Sequence, residues 1–240
     1  MKKFITVTGS SCVGKGPLLA ALKEFHPQID FEEIPVIRSH GSRNGVPRPN
    51  ETEIWSNPDY FLPDADFAKL DKDRFIIGEC RGYPQAIDLK RVSEARKDLL
   101  ILEVYHTIGK QVKKFNLNDT KIISVFVSPL SIDDIENLKL CGVNTDCYIT
   151  AMMIHKQIKR NEYMGAALTE KTIKDIVSRA QDAPKEIENI KEYSFVIVNT
   201  DGEGSANWNR EPGGAFIAEP IGGALRALNE FVSIISGTVF

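Results

Sequence analysis

Residues Gly9-Ser10-Ser11-Cys12-Val13-Gly14-Lys15 form a GxxxxGK run, and its position constrains this chain more than any other feature. It lies directly after a buried-strand pattern, Phe4-Ile5-Thr6-Val7-Thr8, and directly before a helix pattern carrying Leu18, Leu19, Ala21 and Leu22. A strand, a glycine-bearing turn and a helix in that order let successive backbone N–H groups point inward around an anion, while the helix N-terminus adds positive potential. Lys15 then reaches the terminal phosphates of a nucleoside triphosphate. Gly9, Ser10, Ser11, Cys12, Val13, Gly14, Lys15 and Gly16 are therefore the candidate nucleotide-binding residues, with ATP and Mg2+ as the expected cofactors. Such loops usually close on a serine or threonine whose hydroxyl binds magnesium. Gly16 and Pro17 stand there instead. Pro17 is tolerated in a first helical turn, where its missing N–H loses no partner. No side chain at the end of the loop is expected to bind the metal directly.

The rest of the chain repeats the alternation of apolar runs and helical stretches. Ile34–Ile37, Arg74–Gly78, Leu99–Leu102, Ile122–Val127 and Phe195–Val198 read as strands. Gln85–Ala95, much of 145–190 and Ala224–Ile235 read as helices, with Pro184 expected to kink or end one of them. Ser131 with Asp134 three residues on is a helix-capping pattern. Residues 38–73, rich in Pro, Asn, Asp and Arg, read as a loop-rich lobe. Continuous apolar strands alternating with helices predict an α/β chain with a parallel sheet between helix layers. The 30 basic and 33 acidic residues exclude a generally basic nucleic-acid-binding chain. No apolar run reaches the ~18 residues of a membrane span. Four scattered cysteines without a CxxC pair predict a reducing, cytoplasmic setting and no zinc site. His26, His40, His106 and His155 have no Ser or Cys partner pattern.

Downstream of the loop come Ser42-Arg43, then Pro47-Arg48-Pro49-Asn50-Glu51, then Tyr60. Together with Gly9–Lys15, these resemble the guanylate kinase family, which follows its phosphate loop with Ser-Thr-Thr-Arg-x-Pro-Arg-x-Gly-Glu and a tyrosine. Two extra residues separate the arginines here. Gly78-Glu79-Cys80-Arg81-Gly82-Tyr83 is similar to the family's Glu…Gly…Tyr stretch. Glu103 takes the place of its first strand-end aspartate, Phe126–Ser131 resembles its strand ending in Pro-Pro-Ser, and Val196–Asn199 matches its last strand.

The resemblance implies a three-layer phosphate-loop kinase with about five parallel strands. The core would be 1–37, 96–137 and 169–240, the monophosphate-binding lobe 38–95 and the lid 138–168. It implies phosphoryl transfer from ATP to a nucleoside monophosphate, most readily GMP. Arg43, Arg48, Tyr60 and Tyr83 would hold the acceptor phosphate, an arrangement that guanidinium forks and phenol donors also suit on chemical grounds. Ser39 and Ser42 compete as the base-contacting serine. Glu79 either accepts from a guanine N–H or caps a strand end, Glu103 would hold magnesium through water, and Arg38 and Arg81 are further cations. Partners would be small nucleotides, neither nucleic acid nor membrane, and a homodimer is an admissible assembly.

Several family positions are not met. Tyr105 stands where a second aspartate would read guanine, and Cys141 and Ile176 stand where the lid would supply arginines. Lys156, Lys159, Arg160 and Arg179 either supply those charges from shifted positions, with Arg160 and Arg179 the catalytic candidates beside Lys15 and Arg43, or form a solvated helix face. Segment 202–223 has no counterpart. A kinase for another small phosphorylated acceptor, or a nucleotide-binding module of weak activity, remains the alternative.

Overall fold

The computed structural model describes residues 1–238 apart from Asn44, Arg48, Asn116, Asn118 and Gly213, and leaves the side chains of Pro49 and Asn50 undescribed. The order of elements is β1 (Lys2–Gly9), α1 (Lys15–Phe25), β2 (Glu32–Glu33), β3 (Ile37–Ser39), β4 (Phe61–Leu62), β5 (Phe75–Cys80), β6 (Tyr83–Asp88), α2 (Leu89–Glu94), β7 (Leu99–Glu103) and α3 (His106–Val112). It continues through β8 (Thr120–Ser128), α4 (Ile132–Leu140), α5 (Thr145–Tyr163), α6 (Glu170–Glu188), β9 (Phe195–Val198) and α7 (Gly222–Ser236). Five strands form one sheet in the order β2-β7-β1-β8-β9, with β1–β7, β2–β7 and β8–β9 paired in parallel. The expected α/β phosphate-loop kinase fold is the one observed. Among the described residues no helix is long and apolar enough to cross a membrane.

The chain gathers into two compact units, Met1–Thr8 with Asp30–Ser124, and Gly9–Ile29 with Val125–Phe240. In the first unit, Phe4, Leu100 and Leu102 pack with Ile76, Ile87, Val92, Ile108 and Val112 into one apolar cluster. Beside it lies a second sheet in the order β4-β3-β6-β5. Its inner strands are antiparallel, Arg38 opposite Gln85 and Gly78 opposite Gln85 on the other side. Alternation along these strands sorts the side chains. Ile37, Ala86 and Ile77 turn to a small cluster with Phe67, which sends Arg38, Gln85, Tyr83 and Cys80 to the opposite face.

In the second unit, α5 packs along α6, and α7 packs on α1 and β9. Ser131 and Asp134 form the reciprocal cap of α4, with Asp134 N donating to Ser131 Oγ at 2.9 Å and Ser131 N to Asp134 Oδ2 at 2.9 Å. Three expectations need correction. The strand expected at Ile34–Ile37 is instead two short strands, Glu32–Glu33 beside β7 and Ile37–Ser39 beside β4 and β6, which take different sheets and leave 34–36 between them. Gln85–Ala95 is not one helix, because Tyr83–Asp88 pairs along the whole of β5 and only Leu89–Glu94 is helical. Pro184 does not end a helix, since α6 runs through it to Glu188 with Pro184 buried.

The strand-to-helix switch at β6–α2 turns on Asp88. Its buried carboxylate accepts from Lys90 N at 2.9 Å as the helix cap, and from Arg74 Nε at 3.0 Å and Nη2 at 2.5 Å. Burial pushes its pKa up, but the Arg74 and Lys90 hydrogen bonds outweigh that and hold it below the ordinary aspartate value. Asp88→Ala should cost about 2 kcal/mol, the cap plus one charge-assisted bond discounted for the exposed arginine. That corresponds to a fall in Tm of roughly 4–8 °C. Because the folded pKa is the lower one, the stabilisation is present above about pH 4 and lost as pH falls through the folded value. Thermal melts of both proteins between about pH 7 and pH 3 check this. A gap that does not narrow at the acid end contradicts it.

Candidate active site

The loop after β1 keeps the strand–turn–helix context that the sequence requires. Gly9 has φ 141°, and a Cβ there would lie 2.2 Å from the Val127 carbonyl oxygen. Gly14 has φ 99°, with Asn199 Nδ2 2.3 Å from the place of its Cβ. Only glycine fits either position. Lys15 Nζ folds back over the loop and donates to Gly9 O at 2.7 Å and Ser10 O at 3.1 Å. Two further carbonyls take donors from residues that follow β9: Val13 O accepts from Asn199 Nδ2 at 2.7 Å and Cys12 O from Glu203 N at 2.9 Å. Ser10 is buried, and its hydroxyl has no hydrogen-bond partner among the described residues. The Cys12 thiol is buried and pushed up to about 11, by burial first and then by Glu203, so it stays protonated at neutral pH.

The donors on this loop are amides and an ammonium, which fit phosphate oxygens. Gly16 and Pro17 add no hydroxyl for a cation. Among the described residues no three His, Cys, Asp or Glu side chains gather as a metal site. A Mg2+ ion carried on the nucleotide's own phosphate oxygens would fit this donor set, a common arrangement for Mg2+ at phosphate sites.

Residues 199–208, for which the sequence offered no role beyond Asn199, brace this loop. Asp201 Oδ1 accepts from Ser205 Oγ at 3.0 Å and Asn207 Nδ2 at 2.7 Å, while its Oδ2 accepts from Ala224 N at 2.7 Å, at the start of α7. Trp208, almost fully buried, donates Nε1 to Gly202 O at 2.7 Å. The readable signal was the cluster of glycines and cap-forming Asp, Ser and Asn just past an apolar strand.

The four helix cations divide. Lys156 is buried and donates to Thr200 O; burial lowers its pKa, with Asp201 partly offsetting that. Arg160 Nε pairs with Glu203 Oε2 at 3.0 Å; burial works against its charge, but Glu203 outweighs it and the pKa is raised. Arg179, on the buried side of α6, pairs with Asp175 at 2.9 Å. The fields of Lys15, Arg160 and Arg179 all reach the Cys12 thiol and favour its ionised form. Lys159 is exposed and paired with Glu162 at 3.3 Å, a solvated position. Cys141 is the exposed C-cap of α4, and Ile176 is buried in the α5–α6 contact.

The acceptor candidates lie in the other unit. Arg43 grips Glu51 with Nε at 2.9 Å and Nη2 at 2.8 Å, both side chains largely buried. Its guanidinium carbon lies 6.0 Å from the Phe61 ring centroid. Phe61 in turn packs against Trp55, whose ring stacks on His40 at 4.3 Å. Ser39 is buried and donates to Asp64 Oδ1 at 2.6 Å, which with Gly41 N holds the Asp64 pKa below its usual value. Ser42 donates its hydroxyl to Ser39 O at 2.6 Å. Both candidate serines thus shape the β3 turn.

Tyr60 is half-buried, with Arg91 5.9 Å from its ring centroid, and Tyr83 is half-buried at the start of β6. Glu79 is exposed and, by strand alternation, on the face away from Tyr83 and Arg38. Glu103 is exposed at the end of β7. Tyr105 precedes α3 with Arg81 5.4 Å from its ring centroid. Arg48 lies outside the described residues.

No family model matches the chain. It is similar to guanylate kinases of Nostoc sp. (26% identity over 207 residues, 84% of each chain), Synechococcus sp. strain JA-3-3Ab (26% over 203 residues, 82% of this chain and 75% of the relative) and Chromobacterium violaceum (28% over 204 residues, 82% and 78%). Among solved structures, a guanylate kinase from Anaplasma phagocytophilum superposes with a TM-score of 0.53 at 13% identity, over 99% of this chain and 86% of that one. The structural likeness, at that identity, bears on fold alone.

The brace yields a test by added volume. A Cβ on Gly204 would lie 2.6 Å from the Arg160 Cα, a backbone atom that cannot swing away. Gly204→Ala is expected to destabilise by about 1–3 kcal/mol. Gly16→Ala, whose new carbon meets nothing nearer than 4.0 Å, should leave the melt at or above wild type. Differential scanning calorimetry of the pair checks the difference, and equal melting temperatures contradict the packing described.

Proposed function

We propose that this chain, a member of the guanylate kinase family, transfers the γ-phosphoryl group of ATP to GMP, giving ADP and GDP. The observation that carries the reading is the Gly9–Lys15 loop, where the Cys12, Val13 and Gly14 carbonyls accept from Glu203, Asn199 and Leu18 while Lys15 sits on those of Gly9 and Ser10. A triphosphate entering the loop would replace those two neutral carbonyls with anionic oxygens as acceptors for Lys15, a stronger bond. The loop amides and Lys15 hold the donor. Arg160 and Arg179 neutralise charge that spreads over the transferring group, which is where phosphoryl transfer gains most from cations. A phosphate oxygen of GMP forms the new P–O bond as the bond to ADP breaks.

Arg43, Arg48, Tyr60 and Tyr83 hold the acceptor phosphate, within a lobe at 38–95. Residues 138–168 serve as the lid and the remainder as the core. Magnesium bound to the nucleotide neutralises phosphate charge, and Glu103 is the carboxylate that would hold one of its waters. Tyr105 favours broad acceptor use: a neutral phenol engaged with Arg81 replaces the carboxylate that would accept from the guanine amino group and ring N–H.

Two measurements test this. Lys15→Ala should lower kcat by about a hundredfold or more with an unchanged melt; undiminished turnover contradicts the loop's role. In coupled ADP-release assays with GMP, IMP, AMP and dGMP, GMP should be used, with a kcat/KM advantage over IMP below about 100-fold, or about 2.7 kcal/mol. A thousandfold advantage would overturn the argument from Tyr105. No ADP release with any monophosphate would overturn the reading itself.

A further inference from the structure

Arg38 is a cation that neither the family motif nor the proposed mechanism uses. It sits at the middle of the short strand β3, its backbone N–H donating to Tyr60 O at 2.8 Å. Its neighbours in the strand, Ile37 and Ser39, are buried on the opposite face. Arg38 therefore shares its face with Phe61 and Gln85, its cross-strand partners, and with Tyr83. A guanidinium has five N–H donors and no acceptor. Among the described residues, no hydrogen bond or ion pair is made by that of Arg38, although the side chain is half-buried.

Arg43 reaches the same ground, against Phe61. Its own charge is matched by the two-pronged bond to Glu51. Among the described residues Arg38 has no such match. Its pKa is lowered by burial and next by the like charge of Arg43; Glu103 and Glu51 offset this in part. Two arginines flanking Phe61, one paired with it across the strands and one with its guanidinium carbon 6.0 Å from the ring, with only Arg43 hydrogen-bonded to a carboxylate among the described residues, make a poor structural arrangement. They make a good receptor for a dianion, because a phosphomonoester accepts from both forks at once. A local arrangement that weakens the unliganded fold is the mark of a site shaped for a ligand.

We propose that Arg38 is an acceptor-binding residue whose guanidinium takes the phosphate of the nucleoside monophosphate beside the Arg43–Glu51 pair. This rests on the monophosphate kinase reading for its ligand. It adds a phosphate contact beyond Arg43, Arg48, Tyr60 and Tyr83. It also assigns the lobe a cost in the empty state that binding relieves.

The test is isothermal titration of GMP, and separately of guanosine, into wild type, Arg38→Met and Arg38→Lys, with thermal melts of each unliganded protein. Methionine keeps the apolar length of the side chain and removes the charge. The expected result is a GMP Kd weakened at least ~10-fold in Arg38→Met, about 1.4 kcal/mol. Arg38→Lys should recover part of the affinity, guanosine binding should be unchanged, and Arg38→Met should melt at or above wild type. A GMP Kd within threefold of wild type overturns the proposal. So does an equal loss for guanosine and GMP, which would make Arg38 a reader of the base. A melt lowered by many degrees in both variants would make it a structural residue. Wild type that binds AMP or UMP in place of GMP would end the guanine reading alone, and the same titrations with that nucleotide decide the role of Arg38. Wild type that binds no nucleoside monophosphate would end both.

Discussion

A phosphate-binding loop must present its N–H groups to the ligand, so its carbonyl groups must find donors elsewhere. That requirement organises the unit containing the loop. Asn199 at the end of β9 and Glu203 four residues later supply donors to Val13 and Cys12, and Leu18 N supplies one to Gly14 O at 3.1 Å. Lys15 serves two more, Gly9 and Ser10. The close approach of Asn199 to Gly14 follows from the same need, because a donor must come within hydrogen-bond reach of a tightly turned backbone.

The brace is itself held by charge and by capping. Asp201 ties Ser205 and Asn207 to the first turn of α7, where a carboxylate also meets the positive end of the helix. Trp208 closes the segment from inside. The α5 side chains Lys156 and Arg160 bind its backbone and Glu203, so α5 carries cations into the loop's surroundings. Arg160 is thereby held in place while keeping its charge, which suits a group meant to meet a developing anion and needing little reorganisation to do so.

Much of this was legible in the sequence, and the reasons differ by region. The strand, loop and first helix were readable because GxxxxGK has a single structural solution when apolar residues flank it on both sides. The cap of α4 was readable because Ser131 and Asp134 act locally. Residues 85–88 were misread because their helical look was overridden by pairing with β5, a contact that local pattern does not carry. Glu79, which the sequence offered either as a base-reading carboxylate or as a strand-end cap, lies by strand alternation on the other face from Tyr83. The division of the helix cations, with Lys156 and Arg160 turned inward and Lys159 outward, depended on where segment 199–208 runs. No spacing rule gives that. Arg38 was visible, with Arg81, as a further cationic candidate; what sets it apart is the neighbours that the β3–β6 register provides.

The central claim is that a phosphoryl group passes directly from a triphosphate in the Gly9–Lys15 loop to the phosphate of a nucleoside monophosphate. Phosphorus-31 NMR of the protein with ATP, GMP and magnesium tests it most directly, because each phosphate has its own resonance. The account predicts that the GMP signal declines as GDP α and β signals grow in step with those of ADP, without inorganic phosphate. Release of inorganic phosphate with the GMP signal unchanged, or no change in any resonance, would contradict it.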